Sequence, residues 1–428
     1  MRLGGRLQAA IDILQEIETY YRPAGEALKD WGLSHRFAGV NDRAAIGTIV
    51  YDALRRRYSL QWRMDSNNIR DVVFGTLFDS GMLTIEQVDK VLEGDRFAPQ
   101  LLAPQQRKAW QQRQLVNAPD YIRADIPQWC KAHLYPLFAD NWIKEAAALA
   151  TRPPLDLRVN SLKATPKKVL KALEKTKVKP FSWFQQALRI EPIEKFERHP
   201  NVQAEPAFQK GYFEIQDLGS QLVSYLVEAK AGMQLLDYCA GAGGKTLALA
   251  ANMENRGQIY AYDSEKIRLA PIFNRLQRAG IHNVQPRVYK EELKSLIGQM
   301  DIVLLDTPCS GTGTWRRHPD AKWRLTLQKV QQRQEEQFAI LNEALIYIKP
   351  GGRLVYITCS LFNDENEEQI SRFLQKHSNF LPINMQKLWY RHFSSSIMQP
   401  AFSDYGLTLS PAATKTDGFF LSILQKEF

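Results

Sequence analysis

The fold of this chain is decided by the stretch Asp237-Tyr238-Cys239-Ala240-Gly241-Ala242-Gly243-Gly244-Lys245-Thr246. A short apolar strand pattern precedes it and a helical stretch follows it, so its glycines fall in the turn between a strand and a helix. Glycines at such a turn let the backbone approach a bound ligand closely. The stretch therefore predicts an α/β domain with a ligand site at this turn.

Two kinds of phosphate or nucleotide turn share features of this stretch. Gly244-Lys245-Thr246 is typical of the end of a P-loop, but that loop also requires a glycine at the position of Cys239. Asp263 ends the next strand pattern, 22 residues after Gly241, where an acidic side chain can hold ribose hydroxyls. A helix N-cap is a second role open to Asp263. We therefore expect a nucleotide-like cofactor at this turn and no P-loop.

Short apolar strands alternate with helical stretches throughout residues 206–428. The strands are predicted near Leu235–Asp237, Ile259–Asp263, Ile302–Asp306 and Arg353–Thr358. This alternation predicts a doubly wound, mainly parallel sheet. Ligands of such sheets bind beyond the carboxyl ends of the strands, so all four strand ends are candidates for a single site.

Two cysteines follow two of these strands. Cys309 ends Asp306-Thr307-Pro308-Cys309, and Cys359 ends Tyr356-Ile357-Thr358-Cys359. A single cysteine is usually an inert buried residue, but two of them at strand ends of one sheet favour reactive thiolates. The chain has four cysteines and none in metal-ligand spacing, which indicates free thiols, no metal site and a reducing, cytoplasmic compartment.

The segment 310–324 is rich first in glycine and then in basic and aromatic residues. We expect it to be a mobile loop that contacts the substrate. The side chains expected to contact phosphate are Arg316, Arg317, Lys322 and Arg324, and those expected to stack or pack are Trp315 and Trp323. His318 is interpreted as a donor that orders the loop, with proton transfer as the alternative.

Two further regions precede the α/β domain. Residues 1–130 have helical periodicity, including Arg55-Arg56-Arg57 at a helix end that is either solvated or bound to phosphate. Residues 150–205 predict a small α+β module, with a strand near Leu155–Asn160, a helix that begins at Thr165-Pro166 and a strand over Phe181–Ile190. The aromatic residues of that last strand are expected either in the core or stacked on bases.

Charge and composition limit the partners. The net charge is +10, and residues 151–205 contribute 12 basic and 6 acidic side chains to it. A basic patch of this kind indicates a polyanion such as RNA, although a solvated basic surface has the same composition. No apolar run approaches the ~18–20 residues that span a bilayer, so no membrane partner is expected. The chain is expected to be a monomer of two or three domains.

The motifs resemble those of a known family in their sequence, order and spacing. The glycine-rich turn, the Pro-Cys and Thr-Cys motifs and the Arg-Arg-His-Pro loop are similar to those of the RsmB/Nop/Sun family of S-adenosylmethionine-dependent RNA cytosine-C5 methyltransferases. Three more segments match, namely Leu157–Lys163, Gly211–Leu222 and Asp417-Gly418-Phe419-Phe420. The helical N-terminus is similar to the NusB-like RNA-binding domain of bacterial ribosomal RNA members.

The resemblance implies a fold and roles for particular residues. It implies a NusB-like domain at 1–130, an RNA-binding module at 150–205 and a Rossmann-like methyltransferase domain at 206–428. It implies that Cys359 attacks cytosine C6, that Cys309 assists loss of the C5 proton and elimination, and that Asp306 holds the base. Lys245 is expected near the base or the cofactor. The residues expected to bind S-adenosylmethionine are Cys239, Ala240, Gly241, Ala242, Gly243, Gly244, Lys245, Asp263, Arg268 and Asp306.

Some points differ from the family or stay open. Ala242 replaces the usual proline of the turn, and no aspartate lies near Val288-Tyr289 to bind the adenine amino group, so Tyr289 or Glu291 is expected there instead. DNA cytosine methyltransferases use a Pro-Cys cysteine as nucleophile, so the sequence alone does not assign the two thiols. We expect methylation of 16S ribosomal RNA, with transfer RNA, or a noncatalytic ribosome-assembly role, as the alternatives.

Overall fold

A computed structural model describes residues 1–193 and 199–428. Residues 194–198, which fall within the predicted 150–205 module, lie outside the described residues. The helices are α1 (Leu3–Tyr20), α2 (Ala24–Ser34), α3 (Val40–Arg55), α4 (Arg57–Met64), α5 (Ile69–Asp79), α6 (Ile85–Leu92), α7 (Pro104–Gln112), α8 (Asp120–Arg123), α9 (Lys131–Phe138), α10 (Trp142–Ala148), α11 (Pro166–Ala172), α12 (Pro206–Gln209), α13 (Leu218–Leu226), α14 (Gly244–Asn252), α15 (Lys266–Leu269), α16 (Ile272–Ala279), α17 (Pro319–Arg324), α18 (Leu327–Ala344), α19 (Glu367–Lys376), α20 (Met385–Phe393) and α21 (Pro411–Thr414).

The strands are short apart from two. They are β1 (Leu155–Val159), β2 (Lys179–Pro180), β3 (Ala187–Ile190), β4 (Phe213–Ile215), β5 (Gln234–Asp237), β6 (Gln258–Tyr262), β7 (Val284–Arg287), β8 (Met300–Asp306), β9 (Ile348–Thr358), β10 (Phe380–Pro382), β11 (Ala401–Phe402), β12 (Leu407–Leu409) and β13 (Phe419–Lys426). The chain forms two compact units. Among the described residues, the helical unit contains 1–153, 192–193, 199 and 314–325, and the sheet unit contains 154–191, 200–313 and 326–428.

The helical unit forms around apolar faces with helical spacing. Leu7, Ile11, Leu14 and Ile17 of α1 are all at most 5% exposed and lie in one cluster with residues of α3 and α5. The helix α3 begins at Val40, and the Asp42 carboxylate accepts a hydrogen bond from the Gly39 N–H at its first turn.

The sheet unit begins with a small antiparallel sheet in the order β2-β3-β1-β4. Thr165 caps α11 as expected, since its hydroxyl accepts from the Lys168 N–H. The strand expected over residues 181–190 is wrong in its first half, because only Ala187–Ile190 pairs with β1. Phe184 is buried instead in the main core of the unit, and Trp183 packs against that core. Burial of these rings takes precedence over the strand pattern of the sequence.

The main sheet has the order β11-β12-β13-β9-β8-β5-β6-β7, and β10 pairs with β13. The pairs from β9 to β7 are parallel, while β13 runs antiparallel to β9. This confirms the predicted Rossmann-like architecture with its mainly parallel sheet. Because β5 and β8 are neighbours and β8 pairs with β9, the ends of these three strands lie side by side.

Helices within the described ranges are too short or too polar to cross a bilayer. In the same ranges, no cluster of three or more His, Cys, Asp or Glu side chains is arranged to hold a metal ion.

Candidate active site

The glycine-rich turn joins β5 to α14 and has a backbone that only glycine adopts easily. Gly243 has a φ of +81°, and a Cβ placed there would lie 2.5 Å from Ile272. A Cβ at Gly244 would meet nothing within 4 Å, so the space beside that residue is open. The turn thus combines a tightly packed side with an open side that admits a ligand.

Asp263 lies directly beside this turn, as the sequence predicted from its spacing. Its Oδ2 accepts from the Gly241 N–H at 2.8 Å, and its Oδ1 accepts from the Glu265 N–H at 2.9 Å. Arg268 approaches the same carboxylate at 4.0 Å and is 45% exposed. The acidic side chain is therefore held in place at the carboxyl end of β6, next to the open side of the turn.

The base of the turn contains a second, deeper carboxylate. Asp237 is 1% exposed, its Oδ2 accepts from the Thr246 hydroxyl at 2.6 Å, and burial raises its pKa to about 7. Cys239 is also buried, and burial raises the pKa of its thiol well above the usual value. Both residues have structural roles in the turn. Cys239 is not suited to be a nucleophile, because its buried thiol stays protonated.

Lys245 and Asp306 form an ion pair between the first turn of α14 and the end of β8. The Lys245 ammonium donates to Asp306 Oδ2 at 2.6 Å and lies 5.2 Å from the centre of the Phe419 ring. The Lys245 side chain is 9% exposed and that of Asp306 is 33% exposed. Lys245 thus orients a carboxylate that solvent or a substrate can still reach.

The two strand-end cysteines meet. Cys309 Sγ lies 3.3 Å from Cys359 Sγ, within hydrogen-bond distance for a thiol. Both residues are partly exposed, whereas the other two cysteines, Cys130 and Cys239, are buried. The adjacent Cys359 sulfur, together with burial, raises the pKa of the Cys309 thiol well above its usual value. The raised pKa keeps Cys309 protonated at neutral pH, and at this separation either sulfur can be the hydrogen-bond donor.

Polar residues that the sequence argument did not single out support this pair. Ser310 and Ser360, each directly after a cysteine, both donate to the buried carboxylate of Glu365. The Gly313 N–H donates to the Cys359 carbonyl at 2.9 Å. The repeated Cys-Ser pair was a signal in the sequence, but only the fold shows that the two serines share one partner.

The segment 314–325 does not behave as the predicted mobile loop. It belongs to the helical unit, where Trp315 is fully buried and Lys322 is 1% exposed. The Lys322 ammonium donates to the carbonyls of Arg55 and Asp125, and burial lowers its pKa to about 8. The expectation that Lys322 contacts phosphate is wrong, because its charge is used to satisfy buried carbonyl groups.

Other basic residues expected near phosphate are also engaged within the helical unit. Arg324 pairs with Asp320 at 2.6 Å, and the Trp323 indole donates to the Leu54 carbonyl. The side chains of the Arg55-Arg56-Arg57 run pair with three acidic residues, Asp52, Asp79 and Glu18. Structural ion pairs thus account for the charge of this run.

The region expected to contact adenine lies after β7. Tyr289 is 55% exposed, and the Lys266 ammonium lies 3.8 Å from the centre of its ring. The carboxylate of Glu292 accepts from the Val288 N–H at 3.2 Å. An exposed aromatic face and an adjacent carboxylate are present where the family aspartate is missing, and the role of Tyr289 or Glu291 stays a prediction.

Comparisons with known proteins identify the family to which the chain is similar. Residues 224–425 match the family model described as 16S rRNA methyltransferase RsmB/F, and residues 126–194 match a ferredoxin-like domain of RsmF/B-like methyltransferases. A probable ribosomal RNA small subunit methyltransferase B of Synechocystis sp. is 32% identical over 313 residues, covering 70% of this chain and 67% of the relative. The Enterobacter sp. ribosomal RNA small subunit methyltransferase B is 31% identical over 314 residues, covering 70% of this chain and 66% of the relative. The chain thus spans about two thirds of the length of these curated relatives.

Solved structures share the fold. A methyltransferase homolog protein from Pyrococcus horikoshii has 26% identity and a TM-score of 0.59, and the match covers 72% of this chain and 97% of that one. NSun6 from Pyrococcus horikoshii, solved with SFG, has 22% identity and a TM-score of 0.59, with 70% and 98% covered, and shows the fold alone. From the family models and the relatives, this chain belongs to the RsmB/F family of 16S rRNA methyltransferases.

Proposed function

We propose that this protein transfers a methyl group from S-adenosylmethionine to carbon 5 of a cytosine in 16S ribosomal RNA. The observation that carries the proposal is the thiol pair, Cys309 and Cys359, with sulfurs 3.3 Å apart at the carboxyl ends of two adjacent parallel strands. Asp306, paired with Lys245, lies three residues before Cys309. These residues supply a nucleophile, a second thiol and a base-orienting carboxylate, a set that suits C5 methylation of a pyrimidine.

The turn after β5 fits the cofactor. Asp263 would hold the ribose hydroxyls, and the backbone around Gly241 and Gly244 would line the cofactor on the open side of the turn. S-adenosylmethionine, when bound there, supplies an electrophilic methyl group. The NSun6 structure with SFG, an analogue of S-adenosylmethionine, supports this assignment.

Cys359 is the nucleophile in this proposal. Its sulfur forms a bond to C6 of the cytosine and so makes C5 electron-rich, which is the state that accepts a methyl group. The raised pKa of Cys309 supports this division, because a protonated Cys309 donates to a neighbouring thiolate and does not compete with it as the attacking group. The family resemblance, which assigns the Thr-Cys cysteine as nucleophile, agrees.

Release of the product requires loss of the C5 proton, return of the C5–C6 double bond and cleavage of the bond between C6 and Cys359 Sγ. Cys309 lies within hydrogen-bond distance of the departing sulfur and stabilises it as a leaving group. Once Cys309 has given its proton to the departing sulfur, the Cys309 thiolate accepts the C5 proton, which is the second role proposed for Cys309. Asp306 binds the N3 and amino edge of the cytosine, and Lys245 fixes the position of its carboxylate.

The substrate and setting are also proposals. The relatives from Synechocystis sp. and Enterobacter sp. are named for ribosomal RNA of the small subunit, which supports that substrate. The helical N-terminal region and the module around β1 are proposed to bind RNA, within the domain boundaries predicted from the sequence. The target base must leave its stack to reach the thiols. A cytoplasmic location and a monomeric state complete the proposal, and the four free thiols support a reducing compartment.

The test is transfer of labelled methyl from S-adenosylmethionine to unmodified 16S ribosomal RNA and, separately, to transfer RNA. We expect label in 5-methylcytosine of the ribosomal RNA with the wild-type protein. Label in transfer RNA alone would replace the substrate assignment. Binding of RNA with no label in either would contradict the enzymatic proposal and support an assembly role.

A further inference from the structure

Glu365 is a buried carboxylate that lies next to the two loops carrying the thiol pair. It follows β9 by a short turn, its side chain is completely buried, and burial raises its pKa. A buried carboxylate is costly unless several donors surround it. The partners of this carboxylate therefore indicate what it is there to hold.

The partners come from both cysteine-bearing loops. Glu365 Oε1 accepts from the Ser310 N–H at 2.8 Å, and Oε2 accepts from the Ser310 and Ser360 hydroxyls, each at 2.5 Å. Ser310 is joined by a peptide bond to Cys309, and Ser360 to Cys359. One carboxylate thus binds the residue that follows each thiol.

A buried glutamine extends these contacts. The side-chain amide of Gln337, on α18, donates to Glu365 Oε1 and to the Pro308 carbonyl, both at 3.0 Å. Pro308 precedes Cys309, so that loop is held on both sides of its thiol. The Tyr356 hydroxyl donates to the Glu365 carbonyl at 2.6 Å, which anchors the turn to β9. These bonds fix the two loops relative to a single buried group.

We propose that Glu365 is a positioning residue that sets the separation of Cys309 and Cys359, while it touches neither substrate nor cofactor. The catalytic meaning of this separation rests on the proposed function. Reactions held in an active site are sensitive to misplacement of about 1 Å, so loss of this link lowers the rate of chemistry and leaves binding in place. The negative charge of Glu365 also raises the pKa of Cys309, which favours the protonated form of that thiol.

The first experiment needs neither RNA nor S-adenosylmethionine. Dibromobimane reacts with two nearby thiols, each sulfur displacing one bromide, so that two thioether bonds form and two equivalents of HBr are released. The yield of the bridged Cys309–Cys359 product is followed by peptide mass mapping in the full chain. Wild type is compared with Glu365→Ala, with Glu365→Gln and with the control Glu367→Gln, whose carboxylate is also largely buried but binds Ser403 instead.

We expect bridging to be at least tenfold slower in Glu365→Ala and restored to within about threefold of wild type in Glu365→Gln, because the amide keeps the size and most hydrogen bonds. Glu367→Gln should match wild type. Bridging at the wild-type rate in Glu365→Ala would overturn the proposal. If that variant does not fold, the double variant Ser310→Ala/Ser360→Ala cuts the same links, and we expect at least a threefold decrease. A wild-type rate there would overturn the proposal equally.

The second measurement separates this inference from the proposed function. In methyl transfer, Glu365→Ala should lower kcat at least 30-fold and change the KM values for RNA and S-adenosylmethionine less than twofold. A loss confined to KM would contradict a positioning role. If the wild-type protein methylates no RNA, the proposed function fails, and the bridging rates still decide whether Glu365 positions the thiols.

Discussion

Two consecutive segments of this chain use their polar groups for different purposes. Residues 306–313 belong to the sheet unit and bring Asp306 and Cys309 to the end of β8, where both stay partly exposed. Residues 314–325 belong to the helical unit, where Lys322 is 1% exposed and donates to two backbone carbonyls. The first segment presents groups to a ligand, and the second uses its charge to complete a core.

Amino-acid composition alone does not distinguish a segment that presents polar groups to a ligand from one whose polar groups complete a core. The sequence predicted one mobile substrate loop over residues 310–324, which includes parts of both segments, because glycines were followed by arginines, a lysine and tryptophans. The environments of the polar groups differ, because the thiols at the strand ends are partly exposed, whereas the Lys322 ammonium is buried and bonded to carbonyls. Variants in the two segments should therefore fail in different ways.

The largest expected effect is the loss of catalysis without loss of fold. Cys359→Ala removes the proposed nucleophile and should lower kcat at least ~1,000-fold, while its melting temperature stays within a few degrees of wild type. Cys130→Ala is the matched control, because the Cys130 thiol is buried in the helical unit, which contains none of the proposed catalytic residues. It should lower the melting temperature and keep kcat per folded molecule. Retained methyl transfer in Cys359→Ala would remove Cys359 from the mechanism.

The opposite pattern is expected for Lys322→Met. This change leaves the Arg55 and Asp125 carbonyls without their Lys322 donor and removes a positive charge that favours the ionised form of the buried Asp125 carboxylate, whose pKa burial raises. A loss on the order of 3–5 kcal/mol of unfolding free energy follows, measured by urea denaturation. Lys29→Met, at an exposed lysine of α2, should change stability by less than ~0.5 kcal/mol.

A contrary result for Lys322→Met would revive the substrate-loop interpretation. That result is unchanged stability together with weaker RNA binding, because the loss of a lysine that contacts phosphate lowers the affinity for RNA and not the free energy of unfolding.

The smallest effect concerns a buried charge in the sheet unit. Burial raises the pKa of Asp237 to about 7 from an ordinary value of 3.8, so the folded state retains a proton that the unfolded state loses. Below pH 3.8 Asp237 is protonated in both the folded and the unfolded state, and its contribution to the free energy of unfolding is at its maximum. As the pH rises from 3.8 towards 7, that contribution falls by about 1.4 kcal/mol per pH unit. Asp237→Asn should remove this part of the pH dependence in urea denaturation between pH 5 and 8. The same slope in variant and wild type would show that Asp237 ionises normally.

Much of the fold and site follows from short-range patterns in the sequence. Strand ends at Asp237, Asp306 and Thr358 could be predicted because apolar runs end there and parallel strands align their carboxyl ends. The ion pair of Lys245 with Asp306 and the hydrogen bond of Gly241 to Asp263 join residues that the sequence argument had placed at one site. Their roles in catalysis and cofactor binding are still predictions.

The rest depends on long-range partners that no local pattern encodes. Glu365 lies 55 residues from Ser310, and its purpose is visible only through that hydrogen bond. The burial of Lys322 depends on carbonyls of Arg55 and Asp125, 267 and 197 residues away. The type of a side chain predicts which interactions it can form. Whether that side chain is open to a ligand or already bonded within the protein depends on residues far away in the sequence.

The most direct test of the central claim, the division of labour between the two thiols, is the fate of Cys309→Ala on unmodified 16S ribosomal RNA with S-adenosylmethionine. We predict a covalent protein–RNA product that persists in denaturant and maps by mass spectrometry to Cys359, because attack still occurs and release is impaired. An adduct absent from Cys309→Ala, together with one that maps to Cys309 in the Cys359→Ala variant, would contradict the account and reverse the two assignments.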